Sequence, residues 1–86
     1  MRNNSSLNLV VIKGDLDKET SKAILIKDIT AILYENEDYI SEVSNENALA
    51  QQWFPFSQVS KIYRNPAQGE DELHVSSWIC KQKGLI

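Results

Sequence analysis

Histidine and cysteine, the residues that most specifically indicate nucleophilic or zinc chemistry, are scarce in this sequence. The chain has one histidine, His74, and one cysteine, Cys80, which is too few for a structural zinc site with four protein ligands. A nucleophilic Cys–His pair is one interpretation of these residues, whereas a cysteine beside Trp78 on a short helix is more typical of the core. His74 alternates with Leu73 and Val75, so we expect it to face water.

Carboxylates and glycines give no stronger signal for an active site. Asp15 and Asp17 could bind a cation loosely, but their pattern is more typical of an exposed turn. With three glycines in the chain, no glycine-rich loop for phosphate is present. The sequence therefore predicts a protein that is not an enzyme and that requires no cofactor or metal.

Aromatic side chains concentrate in residues 51–86, which carry four cations and three anions, a net charge of +1. Alternation along a strand would place Trp53 and Pro55 on one face and Phe54 and Phe56 on the other. One set is then exposed or at an interface, where aromatic residues contribute strongly to binding. The alternatives are a core with a dimer contact, and a stacking surface for single-stranded nucleic acid. The candidate ligand or partner contacts are Trp53, Phe54, Phe56, Lys61, Tyr63 and Arg64.

The first half of the chain is acidic. Residues 1–50 carry five cations and nine anions, a net charge of −4, and residues 28–50 carry six carboxylates with no Lys or Arg. Such a segment repels phosphate and is a poor surface for nucleic acid. It is either a solvated surface or a patch that meets a basic partner. The candidate patch consists of Glu35, Glu37, Asp38, Glu42 and Glu46.

Length and composition limit the size and number of domains that can carry these candidate residues. The chain has 86 residues, a net charge of −3 and 42% hydrophobic residues, which predicts a single domain over residues 1–86 with a thin core. We expect a frayed N-terminus at residues 1–6 and an acidic loop at residues 35–52. A lone cysteine and the shortness of the apolar runs, which suit neither a bilayer span nor a signal peptide, indicate a cytoplasmic protein.

The first half of the chain reads as strands. Residues 7–13 are rich in Val, Leu and Ile and are followed by Gly14 and Asp15, which predicts a strand and a turn. Residues 21–27 predict a second strand, paired with the first in a hairpin over the charged loop. Residues 29–34 continue that strand past a bend near Asp28, although residues 23–34 are also compatible with a buried helix.

The second half predicts shorter elements. Pro55 places its strand at an edge of the sheet, or lies at a bend, and residues 73–75 form the last strand. A C-terminal helix over residues 78–83 begins at Ser76 or Ser77 and ends at Gly84. The predicted fold is mainly β: a small, partly open antiparallel β-barrel of four or five strands with a short C-terminal helix.

Three segments occur in a recognisable order: residues 22–25 (KAIL), 53–59 (WFPFSQV) and 78–86 (WICKQKGLI). They resemble a group of small phage and prophage proteins of poorly defined function, in which an apolar segment precedes a Trp-[Ile/Leu]-Pro-Lys-Ser-Gln-[Ile/Val] motif and a closing Trp-[Ile/Leu]-x-x-Lys-x-Gly-Leu helix. Phe56 replaces the lysine of the motif, which weakens any inference of phosphate binding there. The connection between Ile26 and Trp53 is also longer and more acidic than in the group. The resemblance implies a phage or mobile-element origin and no particular chemistry.

These patterns predict a phage-type accessory protein that acts by binding, within the host cytoplasm if it is phage-encoded. Its expected role is to antagonise a host complex, such as a defence complex, or to sequester a nucleotide-like ligand between subunits through Trp53, Lys61 and Arg64. We expect a homodimer or larger assembly, because the apolar strand surface exceeds what one small core can use, and no membrane partner. The alternative is an accessory protein that binds single-stranded nucleic acid through Trp53, Phe56, Lys61, Tyr63 and Arg64.

Overall fold

The computed structural model describes residues 9–35, 37–65, 67 and 70–86. Within them, the strands are β1 (Leu9–Glu19), β2 (Ala23–Tyr34), β3 (Glu37–Asp38), β4 (Gln51–Pro55), β5 (Val59–Tyr63) and β6 (Asp71–Ser76). The helices are α1 (Glu46–Ala50) and α2 (Ser77–Gln82), with 3₁₀ turns at Ile40–Glu42 and Phe56–Gln58. The predicted β-rich fold with a short C-terminal helix is confirmed. The described residues form six strands rather than four or five, because the two-residue β3 joins the sheet.

The strands form one antiparallel sheet in the order β3–β2–β1–β6–β5. β4 and β3 share the free side of β2, β4 along its first half and β3 at its end. β4 and β5 thus lie at opposite sides of the sheet, yet only Phe56–Gln58 joins them. Since a residue spans at most about 3.6 Å, the sheet must curl until these strands come close. This geometry agrees with the predicted partly open barrel.

The curl is concentrated where β1 crosses the bend in β2. Lys13 pairs with Ala31 and Asp15 pairs with Lys27, so two steps along β1 match four steps along β2. Asp28 takes a left-handed φ of 50° within the extra segment. A Cβ on Gly14 would lie 2.7 Å from the Lys27 carbonyl oxygen, so only glycine lets the two backbones approach this closely.

The predicted turn at Gly14–Asp15 is therefore wrong. β1 continues through Gly14 to Glu19, and the hairpin turns at residues 20–22 instead. There the Thr20 hydroxyl accepts hydrogen bonds from the backbone N–H groups of Lys22 (3.2 Å) and Ala23 (3.1 Å). The prediction that one strand continues past a bend at Asp28 is confirmed, and the helical alternative for residues 23–34 is excluded.

The segment 35–52 is more ordered than the predicted loop. It contains β3, a 3₁₀ turn and α1, and β4 begins at Gln51. The Asn45 side chain caps α1 by accepting a hydrogen bond from Asn47 N at 2.9 Å. Ala48 is buried and Leu49 packs against the core, so even this short helix contributes apolar surface.

The core lies inside the curled sheet, with α2 packed against it. Alternate residues of β1, β2 and β6 point inwards, together with Phe54 of β4 and Cys80 and Leu85 at the C-terminus; the largest fully buried side chains are Phe54, Ile12, Ile24, Ile26, Ile32, Leu73, Leu85, Val10, Val75 and Cys80. Ser76 caps α2 by accepting from Ile79 N at 3.3 Å, and Gly84 follows with a φ of 74°. Both ends of the predicted helix are thus confirmed.

Asp71 links the part of β1 that lies beyond its pairing with β6 to the segment after β5. β6 pairs with β1 only from Leu9 to Gly14. Beyond that point the Asp71 carboxylate accepts hydrogen bonds from Leu16 N at 3.0 Å and from Asn65 N at 2.7 Å. One side chain therefore satisfies an N–H group of β1 and one of the segment after β5, which holds the two together across the end of the sheet.

Replacing Gly14 tests whether this close approach shapes the sheet. We expect Gly14→Ala to lower the free energy of unfolding by about 2 kcal/mol or more, because the new methyl group meets backbone that cannot move aside cheaply. Urea denaturation followed by the fluorescence of Trp53 and Trp78 measures the change.

Asp28→Gly is the matched control at the same bend. It removes a side chain from a left-handed position and should stay within about 1 kcal/mol of the wild type. Equal stability of Gly14→Ala and the wild type would contradict the close approach.

Candidate functional site

The aromatic residues of β4 divide between the two faces of the sheet. Phe54 is 0% exposed and belongs to the core, whereas its neighbour Trp53 is 39% exposed. Trp53 lies beside Leu25 on the neighbouring strand. Leu25 is buried on the outer face of the sheet, whereas the residues on either side of it in β2 point into the core. Phe56 packs partly against the core. The expectation that one set is exposed is confirmed. The prediction that Phe54 contacts a ligand or partner is wrong, because its side chain is buried in the core.

The cations near β5 form no open basic surface. The Arg64 guanidinium lies 3.0 Å from the Glu19 carboxylate, so its charge is largely neutralised. Tyr63 is exposed and stands opposite Glu72 in the sheet, with its ring 5.2 Å from that of His74. Lys61 is exposed and forms no ion pair with a carboxylate among the described residues. One cation and two separated aromatic residues make a weak platform for nucleic acid.

The three segments that carry the phage-protein resemblance pack against one another. Phe56 N donates to the Lys22 carbonyl at 2.8 Å, and Gln58 accepts from the hydroxyl of Ser76, the cap of α2, at 2.5 Å. The Lys83 ammonium lies 5.4 Å from the centre of the Phe54 ring. These contacts therefore join β2, β4 and α2.

The two candidate nucleophilic residues have no catalytic environment. Cys80 is fully buried, and burial raises the pKa of its thiol to about 12, so the thiol is neutral and unreactive at physiological pH. His74 is half-buried between Glu72, at 3.3 Å, and Tyr63, which corrects the expectation that it faces water. Within the described ranges, no group of three or more His, Cys, Asp or Glu side chains could hold a metal ion.

The acidic residues converge around one tyrosine. The Tyr39 hydroxyl donates to Glu37 at 2.9 Å, and this hydrogen bond, with the negative charges of Glu37, Glu42 and Glu35, raises the pKa of Tyr39. Asp38 follows Glu37 in β3 and accepts from Ile40 N at 3.0 Å. We name Glu35, Glu37, Asp38 and Glu42 the acidic corner. Glu46, the remaining predicted member, lies in the first turn of α1.

None of the acidic corner's carboxylates forms an ion pair within the described part of the chain. All four residues are exposed. By contrast, Asp17, Glu19 and Glu72 each have a cationic partner. The fold therefore leaves the charge of the acidic corner open to an external cation.

An apolar pocket adjoins the acidic corner. It has a volume of about 460 Å³ and is lined by Leu9, Val11, Leu33 and Glu35. Val11 pairs with Leu33 across β1 and β2, on the face opposite the core because Val10, Ile12 and Ile32 point inwards. We name these four residues the outer pocket. Sequence reasoning missed it, although strands that are apolar on both faces were the signal that could have revealed it.

Comparison with known protein families, curated proteins and solved structures finds no match to the chain. The resemblance to small phage proteins therefore stays a prediction. Neither helix of the described chain has the length and apolar character needed to cross a membrane.

The buried thiol predicts a specific loss of stability at alkaline pH. The unfolded thiol ionises near pH 9, whereas the folded thiol stays protonated up to about pH 12. Between these values the unfolded state binds fewer protons, so stability falls as pH rises, by up to about 1.4 kcal/mol per pH unit. The free energy of unfolding of the wild type should therefore fall more steeply than that of Cys80→Ala when both are measured by urea denaturation across this window.

All other ionisable groups are common to the two proteins, so the comparison isolates the thiol. Parallel pH profiles for the wild type and Cys80→Ala would show that Cys80 is not protected in the folded state.

Proposed function

We propose that this protein is a non-enzymatic accessory protein that acts by binding a basic surface of another protein. The observation that supports this best is the acidic corner, where exposed carboxylates gather around Tyr39 without a cation among the described residues. A basic partner would gain electrostatic complementarity with this exposed negative charge.

The proposed setting is a phage-type protein that antagonises a host complex, such as a defence complex. Support for this part comes from the resemblance carried by residues 22–25, 53–59 and 78–86. A small domain without a catalytic constellation in its described residues suits a role that requires occupancy of a surface and no chemistry. The homodimer expected from the sequence stays part of the proposal.

The other two binding functions have weaker support. Sequestration of a nucleotide-like ligand and binding of single-stranded nucleic acid both rely on Arg64, which Glu19 already engages. Both also rely on cations close to aromatic rings, and Tyr63 faces Glu72 instead. Exposed Trp53 remains available for stacking, but nothing beyond its exposure supports that role.

Charge-neutral variants of the acidic corner test the proposed function. The double variant Glu35→Gln/Glu42→Gln should capture its partners from a bacterial lysate about tenfold less strongly than the wild type, because it removes two carboxylates from the contact. Quantitative mass spectrometry of proteins retained on the immobilised protein, at moderate salt, measures the difference.

Asp15→Asn/Asp28→Asn is the matched control, since it removes the same charge from exposed residues outside the acidic corner. It should retain the wild-type partners. Equal losses for the two variants would indicate general charge effects, and an absence of retained proteins for the wild type would count against the proposal.

Labelled oligonucleotides test the nucleic-acid alternative. We expect fluorescence anisotropy to detect no binding of single-stranded DNA or RNA at low salt, because the protein carries a net charge of −3 and presents no open basic groove among its described residues. Tight binding that weakens steeply with added salt, and that Trp53→Ala abolishes, would replace the proposed function by this alternative.

A further inference from the structure

The outer pocket is a concave and mostly apolar surface on the side of the sheet that faces away from the core. Val11 and Leu33 are half-buried and Leu9 is 37% exposed, although all three lie on strands whose other face already supplies the core. Its volume of about 460 Å³ lies within the range of about 300–1,000 Å³ that is typical of binding pockets. A concave site with an apolar lining is a candidate for binding.

The border of the outer pocket is negative. Glu35 is part of its lining, and Asp38 stands directly opposite Leu33 in the sheet. The nearest cation along β1, Lys13, lies 3.9 Å from the Glu72 carboxylate, so it does not offset the charge of Glu35. An occupant therefore meets an apolar floor and an unpaired carboxylate together.

We propose that the outer pocket binds the apolar side chain of a short peptide segment in which Lys or Arg lies next to that side chain. The apolar group fills the space between Leu9, Val11 and Leu33, and the cation pairs with Glu35. This inference rests on the proposed function, because the same acidic corner attracts the partner, and it adds what the partner must present: an apolar anchor beside a positive charge.

A second copy of this chain fits the outer pocket less well. If the two-fold axis of a symmetric dimer passes through the outer pocket, the Glu35 carboxylates and their acidic neighbours are brought together without a cation. A specific small molecule is also disfavoured, because ligand pockets orient their ligands with several polar groups and this lining offers one carboxylate. Charge complementarity thus selects a basic peptide.

Synthetic peptides provide the probe. A short fluorescein-labelled peptide of alternating Lys and Leu should raise the fluorescence anisotropy on titration with the full-length protein at moderate salt. Peptides that alternate Lys with Gly, or Glu with Leu, should bind about tenfold more weakly or not at all, because each lacks one of the two required groups. Equal binding of all three peptides would overturn the proposal.

Variants of the protein locate the contact. Leu33→Thr should weaken the Lys–Leu peptide about tenfold, and Glu35→Gln should weaken it severalfold while reducing its salt dependence. Trp78→Ala, which removes an exposed aromatic side chain outside the outer pocket, should bind as the wild type does. Urea denaturation of each variant checks that the fold persists. If Trp78→Ala loses binding while Leu33→Thr and Glu35→Gln keep it, the contact lies elsewhere and the proposal is overturned.

Two further results separate this inference from the proposed function. If Glu35→Gln/Glu42→Gln reduces capture from lysate but the Lys–Leu peptide does not bind, the acidic contact stands and the outer pocket is not part of it. If the mass measured by light scattering doubles with concentration and Leu33→Thr abolishes the doubling, the outer pocket holds a second copy and the peptide proposal falls.

Discussion

The contact between Gly14 and the backbone of β2 decides the shape of this protein. Because a Cβ at this position would lie 2.7 Å from the Lys27 carbonyl, a side chain there would push β1 away from the bend at Asp28. Without the bend, β2 would stay flat and β4 could not approach β5 through a connection as short as Phe56–Gln58. The enclosed core, to which Phe54, Leu73 and Cys80 contribute, depends on that curl.

The bend at Asp28 divides β2 into two halves with different neighbours. Residues before Asp28 pair with β4, where the segments that carry the resemblance meet around Phe54 and Gln58. Residues after Asp28 lead to β3, where the acidic corner and the outer pocket adjoin. Aromatic residues thus concentrate where the barrel closes, and the unpaired charge lies at the other end of the strand. Of the aromatic residues in the second half of the chain, Phe54 lies in the core, whereas Trp53, Tyr63 and Trp78 are exposed.

Sequence patterns of a few residues correctly predicted those structural features that depend on backbone chemistry within the same few residues. Pro55 at the end of an edge strand, Ser76 at the helix cap and Gly84 after the helix all follow from backbone chemistry that sequence reveals directly. Gly14 was misread as a turn because a Gly–Asp pair favours turns locally, whereas here glycine serves a contact with residues more than ten positions away. The acidic corner was identified by composition, but its convergence on Tyr39 and the outer pocket depend on the register of β1, β2 and β3, which no local pattern specifies.

Some charged side chains have partners within the described part of the chain and others do not. Arg64 with Glu19, Lys27 with Asp17 and Lys13 with Glu72 connect neighbouring segments, and Asp71 satisfies two backbone N–H groups. Most charged side chains of the sheet thus have a structural partner. Among the described residues, the acidic corner's side chains accept hydrogen bonds from Tyr39 and Ile40 nearby, and neutral side chains would provide these contacts equally well. None of these contacts requires the charge of the acidic corner, and this is the feature of the described residues on which the proposal of a basic partner rests.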